Sequence, residues 1–119
     1  MPGALDGLRV LDLSRVLAGP FCCMMLGDHG ADVIKVEPPS GDETRTWGPP
    51  FVDGESTYYL AINRNKRSIG LDLATSDGQE IVRRLASTSD VVVENFRAGA
   101  MERWGLEYAR LAKLNPRLV

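Results

Sequence analysis

Leu8-Arg9-Val10-Leu11-Asp12-Leu13, then Gly19-Pro20-Phe21 onward through Met24, Met25 and Leu26 to Gly30, then Asp32-Val33-Ile34-Lys35-Val36-Glu37, is the stretch that decides the fold. The first run is short, apolar and rich in Leu and Val, which suits a strand buried on both faces of a parallel sheet. Gly19-Pro20 punctuates the chain and places Pro20 in the first turn of a helix, where its missing N–H is not needed and its fixed φ is already helical. Gly30 fits the position just past that helix. His29 before it is expected at the C-terminal cap, beside the negative end of the helix dipole. The run from Asp32 is β-branched, alternates in polarity and is stopped by Pro38-Pro39, so it reads as a second strand. Strand, helix and strand within about 30 residues make one β-α-β unit.

Working outward, residues 40–57 carry Gly, Pro, Asp and Trp without a period and read as one long loop of the functional kind. Tyr58 to Asn63 reads as a short helix and Ser68 to Leu73 as a strand. Ser76-Asp77-Gly78-Gln79 resembles a capping box that opens a helix with Ile81, Val82, Leu85 and Ala86 on one face. Asp90 to Asn95, with three consecutive valines, reads as another strand. Helical stretches follow at Ala100 to Trp104 and Glu107 to Leu114, and Arg117-Leu118-Val119 resembles the opening of a further strand. Repeated strand-then-helix order implies an α/β, Rossmann-like fold: a mostly parallel sheet with helices on both faces, here incomplete at the C-terminus. A length of 119 residues fits one core and no second domain.

Composition narrows the function classes. Hydrophobic residues make up 44% and charged residues 25%, ordinary globular usage that excludes a disordered or fibrous chain. Fourteen basic against sixteen acidic residues leave a net charge of -2, so nucleic acid is not an expected partner, although a local basic pocket for a few phosphates is compatible with it. No apolar run reaches the roughly 18 residues that a membrane-spanning helix needs, and Met1 to Leu8 has no basic start leading into an apolar stretch. A cytoplasmic protein is expected, or a mitochondrial one if a transit peptide is missing from this sequence. Cys22 and Cys23 are sequence neighbours, which builds neither a disulfide framework nor a zinc spacing; both are expected as buried, reduced thiols in a helix. No metal site is evident. Trp47 and Trp104 are expected to pack.

In open α/β sheets ligands sit beyond the carboxyl ends of the strands, which singles out Ser14 to Pro20, Pro38 to Trp47, Leu71 to Thr75 and Asn95 to Arg103. The first segment leads into a helix N-terminus, whose free N–H groups suit an anion such as a phosphate. It lacks the GxGxxG pattern, so Glu37 is read as a solvated strand-end carboxylate rather than as the ribose-binding acid of an NAD or FAD site. Asn63-Arg64-Asn65-Lys66-Arg67-Ser68 packs three cations and two amides. A solvated turn is the expectation there, with a phosphorylated nucleotide or a neighbouring subunit as the alternative. Glu94-Asn95-Phe96-Arg97 and Arg103 offer an amide, a ring and two guanidinium groups, a set that suits an adenine nucleotide or, equally, an amphipathic turn with Phe96 in the core.

Taken in order, Leu8-Arg9-Val10-Leu11-Asp12-Leu13, Ala18-Gly19-Pro20, Gly30-Ala31-Asp32-Val33-Ile34-Lys35-Val36-Glu37, Asn65-Lys66-Arg67-Ser68 and Glu94-Asn95-Phe96 resemble the class III CoA-transferase family across nearly the whole chain. The resemblance implies that residues 1–119 form the N-terminal part of a CoA-binding large domain within an interlocked homodimer. It implies coenzyme A or acyl-CoA as substrate, a carboxylic acid as the other reactant, and no covalently bound cofactor. By the same resemblance CoA runs past Val16, Leu17 and Ala18, past Leu71, Asp72 and Ala74 near the adenine, and past Asn95, Phe96 and Arg103 near the phosphates. Leu17 and Pro38 stand where the formate-using members carry a glutamine and an arginine. The segment Gly41-Asp42-Glu43-Thr44-Arg45-Thr46-Trp47-Gly48-Pro49-Pro50-Phe51 looks most like the succinate and glutarate branch, in which Arg45 would pair with the distal carboxylate of a dicarboxylic acid. In the family's transferases an aspartate carries the acyl group through anhydride and thioester intermediates. The resemblance places that aspartate beyond Val119, so this chain by itself is expected to be inactive. The family's 2-methylacyl-CoA racemases, and a non-catalytic CoA-binding or dimer-forming module, are the alternative readings.

Overall fold

The computed structural model describes residues 2–119. Four strands, β1 (Arg9–Asp12), β2 (Asp32–Glu37), β5 (Lys66–Gly70) and β6 (Val91–Val93), form one parallel sheet in the order β5-β2-β1-β6. Val10 pairs with Val33 on one side and Val91 on the other, and Val36 pairs with Ile69. The chain lays down β1, moves outward through β2 to β5, and returns to place β6 against the free side of β1. The strand order therefore reverses between β1 and β6, and the loops leaving those two strands diverge to open a crevice there.

Helices cover both faces, as the strand-helix order predicts. Successive side chains on a strand point to opposite faces, so Val10 and Val33 pack with Cys23 of α1 (Ala18–Asp28). Leu11, Leu13 and Val36 pack with Val82 and Ala86 of α3 (Ser76–Ser87) and with Leu111 of α5 (Tyr108–Leu114). The helix α2 (Thr57–Asn63) lies beside α1, and α4 (Ala100–Arg103) precedes α5. His29 is the C-cap of α1, its N–H shared between Met25 and Leu26 carbonyls, and Gly30 follows at φ 107°, a left-handed position that glycine fills without strain. Among the described residues no helix is long and apolar enough to cross a membrane.

Several expectations are corrected. Only Cys23 is buried; Cys22 is exposed, because neighbours on a helix point about 100° apart and α1 turns one of them outward. Strand β5 begins two residues before Ser68 and ends at Gly70, because Leu71 already turns into the core. The cap of α3 is Thr75 rather than Ser76: its hydroxyl accepts the Gly78 N–H, and the Gln79 amide bonds the Leu73 carbonyl instead of closing a box. The segment 40–57 is not one loop. It holds a 3-10 turn (Glu43–Thr46) and a hairpin, β3 (Phe51–Val52) with β4 (Glu55–Ser56), joined by Asp53 and Gly54 at φ 51° and 80°. Positive φ at both central residues is the tight hairpin turn that an Asp-Gly pair favours. At the other end of the chain, Val119 exchanges backbone hydrogen bonds with Asp90 and Val92 on the free side of β6, the pairing that a further parallel strand would extend.

Candidate functional site

Asp12, buried at the end of β1, organises the turn into α1. Its carboxylate accepts the Ser14 N–H at 2.9 Å and the Ser14 hydroxyl, while its second oxygen takes the Lys66 ammonium at 2.9 Å. Two residues on, Val16 sits at φ 71°, a left-handed conformation that a β-branched residue adopts only when its surroundings enforce it. The enforcement comes from Asn95, beyond β6. Its Oδ1 accepts the Arg15 N–H at 2.9 Å and its Nδ2 donates to the Arg15 carbonyl at 2.7 Å. Gly19, in the first turn of α1, packs so closely on Ser14 that any Cβ would overlap the serine side chain.

Two adjoining clefts open at this crevice. The first, about 180 Å³, is floored by Leu13, Val36 and Leu71 and walled by Phe96 and Trp104, with Arg15, Asp72 and Ala74 at its edge. The second, about 320 Å³ and more polar, shares Arg15, Val36, Glu37 and Pro38 and extends to Ser14, Ser40, Asp42 and Thr46. Phe96 meets Trp104 edge to face at 5.0 Å, and the Arg15 guanidinium lies 5.2 Å from the Phe96 ring centre. Arg15 is the cation common to both clefts, and among the described residues it forms no ion pair.

Of the expected contact residues, Leu71, Asp72, Ala74 and Phe96 are brought together in the first cleft. Asn95 acts one step back, through the Arg15 main chain. Val16, Leu17 and Ala18 lie on the adjacent turn and Arg103 is exposed on α4 beside Trp104, none of the four lining either cleft. Arg15 and Trp104 are the additions. Arg15 was legible as the cation that directly follows the first strand-end serine. Trp104 lies beyond a second helix, and only the packing of α4 brings it back.

Charges beneath the clefts are paired internally. Glu37 is 4% exposed rather than solvated. Its carboxylate accepts two hydrogen bonds from Arg45, at 2.7 and 2.8 Å, and others from Tyr59, Ser68 and the Asp42 N–H. Burial pushes the Glu37 carboxyl up, but the Arg45, Tyr59 and Asp42 hydrogen bonds outweigh it and hold its pKa at about 2. Its oxygens are thus unavailable to a ribose diol. Arg45, expected against a substrate carboxylate, spends its Nε and Nη2 on Glu37 and stacks over Tyr59 at 3.9 Å. The cation-rich turn is solvated at Arg64, Asn65 and Arg67, as expected, while Asn63 and the Lys66 ammonium turn inward. Lys66 is saturated by Asp12, the Pro20 carbonyl and Asn63, while Arg64 pairs with Asp28 and Arg67 with Asp32. Burial depresses the Lys66 ammonium even with Asp12 opposing the shift.

A parallel sheet whose order reverses beside β1, with a strained turn, an uncapped helix start and an aromatic-walled cleft at the reversal, defines a Rossmann-type α/β protein. Known proteins narrow this class. CoA-transferase family III matches residues 5–119, and the chain belongs to that family. It is 56% identical to a succinate–glutarate CoA-transferase of Agrobacterium fabrum and 53% identical to the human succinyl-CoA:glutarate CoA-transferase. Each comparison covers 97% of this chain, but 30% and 26% of the relative. The crystal structure of a CAIB/BAIF family protein from Brucella suis superposes with a TM-score of 0.95 at 52% identity, covering all of this chain and 32% of that one. The chain thus spans about a third or less of the length of these relatives.

Proposed function

We propose that this chain supplies the acyl-CoA-binding crevice of an enzyme that moves coenzyme A between a succinyl-type thioester and a dicarboxylic acid. The observation that carries the reading is the first cleft. Leu71, Asp72, Ala74 and Phe96, picked out from the sequence as CoA contacts, line one aromatic-walled space at the switch point of the sheet. An apolar floor and a ring suit the flat adenine, and the unpaired Arg15 beside it suits a phosphate. Val16, Leu17 and Ala18 would meet the pantetheine along the start of α1, with Asn95 fixing that turn and Arg103 meeting phosphate from α4. Arg45 would offer its remaining Nη1 to the distal carboxylate of the acid, which accords with the dicarboxylic substrates in the relatives' names.

The exchange itself breaks one thioester C–S bond and makes another, with no net oxidation. An enzyme carboxylate attacks the acyl carbon and the CoA thiolate leaves. The thiolate then opens the anhydride at the enzyme's carbonyl, which releases the first acid and leaves an enzyme–CoA thioester. The acceptor carboxylate runs the same two steps in reverse to leave as the new thioester and restore the enzyme carboxylate. Asp12 and Asp42 are locked in buried ion pairs beneath the clefts and are not placed to attack. The aspartyl nucleophile is assigned to a part of the enzyme outside these residues, within an interlocked homodimer.

Calorimetric titration with CoA tests the reading. The chain should bind CoA saturably, without exchanging acyl groups, and Phe96→Ala should weaken binding by about tenfold, as the loss of a base-aromatic stack does. Absence of saturable heat from folded wild type at millimolar CoA would reject it.

A further inference from the structure

We propose that Lys35 is a positioning residue that sets the separation of the two walls of the larger cleft. The inference rests on the CoA-binding reading above and adds a determinant that never touches the ligand. Lys35 lies in the middle of β2, between Ile34 and Val36, and is fully buried despite its charge. Its Nζ donates to the Ser14 carbonyl at 3.0 Å and pairs with the Asp42 carboxylate at 3.0 Å. Ser14 belongs to the turn after β1, and Asp42 to the segment after β2, so one ammonium spans the two loops that face each other across the 320 Å³ cleft.

Each end of the bridge is itself rigid. Ser14 is tied by N–H and hydroxyl to Asp12, which Lys66 holds in turn. Asp42 accepts the Thr44 N–H at 2.9 Å and hydroxyl at 2.8 Å and so caps the 3-10 turn that bears Thr46 on the cleft wall. A displacement of Lys35 would therefore move whole loops rather than single side chains. Stability alone gives little reason for this arrangement, since a well-packed apolar residue usually replaces a buried ion pair at no loss. What an apolar residue cannot do is hold the Ser14 carbonyl and the Asp42 turn at one fixed spacing.

The test compares wild type, Lys35→Met, and Lys35→Met combined with Asp42→Asn, which removes both buried charges while leaving an amide oxygen able to cap Thr44. Folding is read from Trp fluorescence and thermal melting, CoA affinity by calorimetry, and loop order by amide hydrogen exchange of residues 14–18. The single variant should be destabilised by its uncompensated Asp42. The double variant should regain stability, but still bind CoA on the order of tenfold more weakly and exchange faster across residues 14–18, because the lost bond to the Ser14 carbonyl is one made by a charged donor. Recovery of affinity and exchange protection together with stability would overturn the proposal, showing that Lys35 only neutralises Asp42. A double variant that does not fold would overturn it too. If wild type itself fails to bind CoA, the functional reading falls, and the exchange comparison still decides whether Lys35 sets the loop.

Discussion

The Arg45 guanidinium grips the Glu37 carboxylate through Nε and Nη2, at 2.7 and 2.8 Å, and thereby ties the 3-10 turn to the end of β2. Removing the guanidinium leaves a nearly fully buried carboxylate without its main partner. Arg45→Met should lower unfolding free energy by about 2 to 4 kcal/mol, measured by urea denaturation, somewhat below a wholly buried pair because the Arg45 side chain is 35% exposed.

The same pair sets an acid limit. Glu37 is held at about 2, below its usual 4.5, so it contributes stability that is fully present above pH 4.5 and is lost as pH falls toward 2. Asp42 is shifted in the same direction: burial raises it, but the Thr44 N–H, Lys35 and the Thr44 hydroxyl lower it more. Denaturation curves collected between pH 5 and pH 2 should show falling stability in wild type and a flatter profile in Arg45→Met. Equal slopes would mean that Glu37 is not the titrating group.

The thiols should separate by reactivity. Burial, reinforced by Asp12, pushes the Cys23 thiol up to about 12, whereas Cys22 is exposed. A thiol-specific chromogenic reagent should modify Cys22 alone in the folded chain and both cysteines in denaturant. Rapid modification of both in the native state would contradict the packing of Cys23 against Val10 and Val33.

Asn95→Ala removes two hydrogen bonds from the Arg15 main chain, both near the surface. Stability should fall by only about 1 kcal/mol. CoA affinity should fall further, because Val16 then relaxes from its strained φ and Arg15 loses its place over Phe96. Calorimetry beside thermal melting separates the two effects.

Gly19→Ala should be worse than its size suggests. The added methyl overlaps Ser14, so the turn after β1 must shift, at a cost of about 1 to 3 kcal/mol and with weakened CoA binding. Melting and titration of the purified variant check both parts. A normal CoA isotherm would show that the turn tolerates displacement.

Much of the frame was legible because it rests on local signals. β2 runs from Asp32 to Glu37 as read, since alternation and Pro38-Pro39 bound it on both sides. α2 was found within one residue. The hairpin at Phe51 to Ser56 was missed although Asp53-Gly54 announces it, because two-residue strands are too short to show a period. Glu37 misled for a different reason. A charge at a strand end suggests solvent, but Glu37 is buried, and its partner Arg45 comes from a segment whose sequence shows no period. In the site, the strand ends pointed to the segments Leu71 to Thr75 and Asn95 to Arg103, and the family resemblance to Leu71, Asp72, Ala74 and Phe96 within them, which one cleft gathers. Arg15's freedom from pairing, by contrast, depends on where every other charge finds its partner.

Asn95 grips Arg15 across 80 residues of chain. The crevice therefore cannot exist in a nascent β-α-β unit, however well that unit holds its own shape: it comes into being only when β6 docks beside β1. Closing a loop of that length costs chain entropy, so the crevice is expected among the last parts of the sheet to mature. Ligand capture is then a report that the topology has been completed, and CoA present during refolding would act on the final step rather than on the first.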